Sequence, residues 1–246
     1  MSVHLVGGGW QDEPDGVAYA AFVREATARA TASGREIPRI AVVAVRDEDA
    51  AEHADRLVAA MRVAGDLDPV VIAVGETGTV PGEAFADVDA IVIGGGTTPA
   101  YRDVLEPHFD VIRDLVGAGI PYLGFSAGSA IAASAALVGG WRIGGVEVVG
   151  EDINEGLDEV TVRGGIGLVD VAVDVHVAQW GALSRIVAAA EAGLIDAGIG
   201  IDENTVLIAG SGPLRVAGSG SVWRVTTSER GVAVSTISST ISGGNA

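Results

Sequence analysis

The chain of 246 residues reads as an α/β protein with a doubly wound, mostly parallel sheet and antiparallel hairpins in its C-terminal third. Three observations predict this. Short β-branched runs alternate with alanine-rich helical stretches through the first two thirds. Runs such as Ile40-Ala-Val-Val-Ala-Val and Ala90-Ile-Val-Ile are apolar on both faces, as central parallel strands must be. Beyond about residue 140 the texture changes to short strands broken by Gly and Ser, which suits hairpins at one edge of the sheet.

Taken in order, a strand over 3–6 leads into a helix over about 16–33, and the pattern repeats with a strand at 39–45 and a helix at about 48–64. Further buried strands fall at 69–74, 90–93 and 121–125, with a helix over about 99–117 between the last two. The later strands are expected at 141–149, 159–162, 171–175, 205–209, 214–217, 222–226 and 232–235, with one more helix at about 179–192. The polar, Gly-rich stretch 238–246 is expected to be frayed. No linker, repeat or low-complexity block interrupts the chain, so 1–246 is expected to form one domain.

Composition narrows the function classes. A hydrophobic content of 48% over this length supports a large core. The absence of cysteine excludes disulfides, thiolate chemistry and cysteine-based metal sites. A formal net charge of −18 argues against nucleic acid, whose phosphates would be repelled. No apolar run reaches membrane-spanning length, and the first residues lack a charged-then-apolar leader, so the expectation is a cytoplasmic protein without a membrane partner.

The chemistry is expected around Ile120-Pro-Tyr-Leu-Gly-Phe-Ser-Ala-Gly-Ser-Ala-Ile, where an apolar strand stops at Ser126 and passes into small residues of helical character. Gly124-Phe-Ser-Ala-Gly128 is the Gly-x-Ser-x-Gly pattern of a nucleophile elbow, whose sharp turn lifts a hydroxyl to the carboxyl end of the sheet. A serine hydroxyl needs a base held by a third group. Of the four histidines, His4 lies inside the first strand, His53 on an expected exposed helix face, and His108 at a helix border. His176 ends the apolar strand Val171-Ala-Val-Asp-Val, at a carboxyl end where open α/β sheets place their sites. Candidates for the third group are Asp174, Asp202 and Glu203. Asp202 and Glu203 are adjacent on an extended segment, so only one of them can face the imidazole. Gly94-Gly-Gly-Thr-Thr lacks the Gly-Lys-Ser/Thr of a phosphate loop; the backbone N–H groups of Gly95 or Gly96 could instead join that of Ala127 as an oxyanion hole.

Together these segments resemble the S51 serine peptidases, the family of dipeptidase E and cyanophycinase. The matching stretches are Val92-Ile-Gly-Gly-Gly-Thr-Thr, Gly124-Phe-Ser-Ala-Gly-Ser-Ala, Asp174-Val-His and Gly198-Ile-Gly-Ile-Asp-Glu-Asn-Thr. The resemblance runs from Val6-Gly-Gly-Gly to Gly218-Ser-Gly-Ser-Val-Trp and implies a flavodoxin-like fold related to class I glutamine amidotransferase domains. Dipeptidase E-type members carry their triad acid shortly after the serine, and 132–140 here has no carboxylate. Cyanophycinase-like members use the Glu of Gly-x-Gly-x-Asp-Glu, which maps onto Glu203. The resemblance therefore implies Ser126 as nucleophile, His176 as general base and acid, and Glu203 as the group that orients the imidazolium.

The resemblance also carries departures. Cyanophycinases follow the histidine with several arginines; here only Arg185 survives, and Trp180 and Ala182 stand where others are expected. Thr97 replaces the Gln or Asn often found after the paired glycines. Thr97, Asp174, Trp180 and Arg185 are the expected substrate-binding residues of a peptidase with altered specificity. No metal or cofactor is implied. The expected partner is a small peptide substrate, and a homodimer is a family expectation. Two other readings share the residues: a silent amidotransferase-like binding or regulatory module, and an esterase or acyl transferase acting on a non-peptide substrate.

Overall fold

In the computed structural model, which describes residues 2–11 and 15–237, the strands are β1 (Val3–Val6), β2 (Arg39–Val45), β3 (Asp68–Val74), β4 (Ala90–Ile93), β5 (Tyr122–Phe125), β6 (Ala135–Gly139), β7 (Arg142–Ile143), β8 (Val146–Glu147), β9 (Thr161–Gly164), β10 (Ala172–Val175), β11 (Ala197–Ile201), β12 (Thr205–Ala209), β13 (Arg215–Gly218), β14 (Val222–Ser228) and β15 (Gly231–Ile237). The helices are α1 (Val17–Ala32), α2 (Ala50–Arg62), α3 (Thr98–Leu105), α4 (Phe109–Gly117), α5 (Ala127–Ala130), α6 (Val177–Trp180) and α7 (Leu183–Glu191).

A seven-stranded sheet runs in the order β13-β12-β1-β5-β4-β2-β3. Its five strands from β1 to β3 are parallel, while β12 and β13 close one edge antiparallel. The period-two alternation of side chains splits its apolar residues between two cores. Ala41, Val43 and Val45 face a cluster with Tyr101 of α3 and Ile112 of α4. Ile40, Val42 and Ala44 face a second cluster with Phe22 of α1 and Leu57 of α2. Strands buried on both faces explain why the sequence shows unbroken Val/Ile runs. Gly16 is the N-cap of α1, and the carboxylate of Asp15 just before it accepts the Val17 N–H at 3.0 Å.

A second sheet, β10-β11-β14-β15, packs against α7 through Ile186, Ala189, Ala190 and Val225. The expectation that every late hairpin borders the main sheet is therefore corrected: β12–β13 does, but β14–β15 belongs to this second sheet. The physical reason is the tight turn between β11 and β12, where Asn204 takes φ +54° and sends the chain from one sheet to the other. Periodicity reports which face of a strand is buried but not which neighbour it pairs with. The helix expected over 99–117 is broken by a 3-10 turn at Glu106–His108, where Pro107 lacks the N–H a continuous helix needs. The strand expected over 141–149 is a small hairpin, β7–β8, folded at Gly144 and Gly145, both with positive φ. The tail 238–246 lies outside the described residues. Among the described residues no helix is long and apolar enough to cross a membrane.

Candidate active site

Ser126 follows the buried strand β5 and precedes the four-residue helix α5. Its backbone sits at φ +52°, ψ −111°, a sparsely populated conformation for any residue with a side chain. Packing dictates the flanking glycines. A Cβ on Gly124 would stand 2.5 Å from the Gly128 carbonyl, and one on Gly128 would stand 2.2 Å from the Ile93 oxygen. The turn is held from below by Ser129, whose hydroxyl bonds the carbonyls of Val6 and Gly124 at 2.8 and 2.7 Å.

His176 stands at the carboxyl end of β10, in the left-handed region at φ +53°, with its N–H on the Gly7 oxygen at 3.0 Å. Its Nε2 lies 2.8 Å from Ser126 Oγ, and its Nδ1 lies 2.6 Å from Glu203 Oε1. A carboxylate at Nδ1 fixes the proton there and leaves Nε2 to accept from the serine hydroxyl. Burial pushes the imidazole below its ordinary pKa, and the Glu203 hydrogen bond opposes that shift. The loop after β1 completes the packing: a Cβ on Gly8, at φ +90°, would fall 2.2 Å from the imidazole Cε1. Trp180 lies flat against the ring, with centroids 3.8 Å apart and planes 5° apart.

Of the three acid candidates, only Glu203 faces the imidazole. Asp202 points away and accepts the Ala178 and Ser221 N–H groups and the Trp223 indole N–H at 3.1, 2.8 and 2.9 Å. Asp174 is consumed by Arg185 in a buried ion pair with bonds of 2.7 and 2.9 Å. Arg185 also donates to the Ile153 carbonyl at 2.8 Å. The expectation that Asp174 and Arg185 contact substrate is therefore corrected. They are buried against each other and do not line the cavity.

The expected oxyanion donors divide. The Gly95 N–H is already donated to His53 Nε2 at 3.0 Å, which removes Gly95 as a free donor. Neither the Gly96 nor the Ala127 N–H has an acceptor among the described residues. His53 itself is corrected from an exposed helix face to a buried position with 6% exposure. Burial and the nearby Arg46 lower its pKa to about 4, so it is neutral and able to accept. Thr97 donates its hydroxyl to Glu76 at 2.8 Å and lines the cavity, as does Trp180.

The cavity over Ser126 measures about 650 Å³. Its walls include Trp10, Arg46, Arg56 and Glu155, which sequence reasoning missed. Arg46 follows β2 at the same edge of the sheet as Ser126, so the strand-end argument that singled out His176 could have found it. Arg56 lies over the Trp10 ring at 4.2 Å. Glu155, in an irregular segment at φ +56°, accepts the Thr98 N–H at 3.0 Å, and burial raises its pKa. No sequence signal marks it. Among the described residues no group of three or more acidic or histidine side chains could hold a metal ion.

Solved structures share this fold. A peptidase from an acI-B1 Actinobacterium superposes with a TM-score of 0.60 at 19% identity, covering 98% of this chain and 95% of that one. A Peptidase E candidate from Listeria monocytogenes EGD-e gives 0.55 at 14% identity, covering 89% of this chain and 98% of that one. No protein-family model matches the chain, and no curated protein matches it by sequence. The likeness is one of a mixed α/β frame with a large, mostly parallel sheet.

Proposed function

We propose that this chain is a serine hydrolase that cleaves peptide or amide bonds of small peptides through an acyl-enzyme, on a doubly wound, amidotransferase-like frame of the S51 type. One observation carries the reading: a continuous line of hydrogen bonds from Ser126 Oγ through His176 to Glu203, at 2.8 and 2.6 Å, opening on a cavity. The peptidase names of the structural neighbours support it.

In this mechanism Ser126 Oγ attacks the substrate carbonyl carbon as its proton passes to His176 Nε2. Glu203 stabilises the imidazolium that forms. The Gly96 and Ala127 N–H groups receive the charge that builds on the carbonyl oxygen. The carbon–nitrogen bond then breaks, and the leaving amine takes the proton from Nε2. Water adds to the acyl carbon, gives a proton to Nε2, and the return of that proton to Ser126 releases the acid. A panel of dipeptides that includes Asp-Xaa and β-aspartyl-Xaa, run beside a p-nitrophenyl ester and followed by intact-mass detection of the acyl-enzyme, tests this. Turnover with an acyl adduct that Ser126→Ala abolishes is expected. Absence of both from folded wild type favours the silent module, whereas ester turnover alone favours the esterase.

A further inference from the structure

We propose that Tyr101, Arg46 and His53 clamp the Gly95 peptide so that the Gly96 N–H is aimed and polarised as an oxyanion donor; the inference rests on the hydrolase reading above. All three are positioning residues, acting through the backbone. The Gly95 carbonyl accepts from Arg46 Nη1 at 2.9 Å and from the Tyr101 hydroxyl at 3.0 Å. Tyr101 is fully buried, and burial raises its phenol pKa well above the usual range, so the hydroxyl keeps its proton to donate.

The carbonyl of Gly95 and the N–H of Gly96 belong to one peptide unit, and the described residues contain no cis peptide. In a trans unit the two groups point in opposite directions. Donors on the oxygen therefore fix the direction of the N–H, and by drawing electron density toward the oxygen they strengthen it as a donor. The preceding unit is fixed as well, because the Gly95 N–H is spent on His53. His53 is braced edge-on by Trp10 and Phe125, at 5.6 and 5.8 Å between ring centroids. The clamped segment lies against the nucleophile: a Cβ on Gly95 would sit 2.7 Å from the Ser126 Cβ. The clamp thus ties the end of β2, α2 and α3 to the point where charge develops.

Tyr101→Phe is the sharpest probe, because Tyr101 does not line the cavity and cannot touch substrate. Removing a whole oxyanion donor costs about 10²–10³ in turnover, so weakening one is expected to lower kcat by about tenfold, with KM within about twofold. The acid bend of the pH profile is expected to stay in place, and the Gly96 amide proton resonance to move upfield. His53→Ala is expected to lower kcat similarly, and His53→Gln, which restores an acceptor, to recover most of it. These two variants carry the test if Tyr101→Phe does not fold. Fluorophosphonate labelling of wild type separates the two levels. Labelled wild type with unchanged kcat in the folded variants overturns this inference alone. Wild type that resists the probe overturns the hydrolase reading and this inference with it.

Discussion

In the proposed mechanism His176 is the base, and burial favours its neutral form. Burial lowers its pKa, and Glu203, followed by Asp174, pulls it back up. The sign of the pH dependence follows: kcat/KM should fall as pH drops through a folded-state pKa below the ordinary 6.5. Glu203→Gln removes an opposing cause, so the acid bend should move to lower pH while turnover falls by about 10³–10⁴ through loss of the correct tautomer. A pH–rate profile of both proteins checks this. Stability shows the same sign. His53 and His176 bind fewer protons folded than unfolded, so unfolding free energy should decline as pH falls below about 6.5, toward the His53 value of about 4. The groups facing His53 are Arg46, Asp49 and Arg56, and the two arginines add to its reluctance to charge. Asp174 and Arg185 also hold the fold together: Arg185→Met should cost about 3–5 kcal/mol in urea unfolding, because it strands a buried carboxylate.

Loops at strand ends carry the site. The Gly7-Gly-Gly9 loop after β1 touches both His176 and Glu203, so its role is clearance as much as turning. Gly8→Ala should leave secondary structure intact by circular dichroism yet lower kcat/KM by about a hundredfold, since displacing the imidazole by an ångström costs that much. Elements buried on both faces, such as β2, β4 and β5, were legible because nothing but continuous apolar character satisfies them. β6 was not: Ala135-Ala-Leu-Val-Gly continues the small-residue texture of the elbow, and only pairing with β9 makes it a strand. The elbow helix is shorter than its composition suggests, because the chain leaves α5 after Ala130.

Across the molecule, the carboxyl ends of β1, β4 and β5 in one sheet meet those of β10 and β11 in the other, and the cavity opens at that junction. The positions of Ser126 and His176 were legible because a strand end is itself a location in an α/β protein. The choice between Asp202 and Glu203 was not legible from the residues, since both lie past the end of β11, Glu203 already in the turn, and the sequence does not show which way that turn aims a side chain. Three N–H donors hold Asp202 on the far side. The environment of His53 was hidden for a related reason: an acidic sequence neighbourhood says nothing about a backbone N–H arriving from a loop 42 positions away.

The central claim is that Ser126 is an activated nucleophile, and covalent capture tests it most directly. Wild type treated with a fluorophosphonate and mapped by peptide mass spectrometry should carry one adduct, on Ser126, with Ser126→Ala unlabelled and His176→Ala labelled at least about a hundredfold more slowly. An adduct on another residue, or a folded wild-type chain that takes up none, would contradict the account.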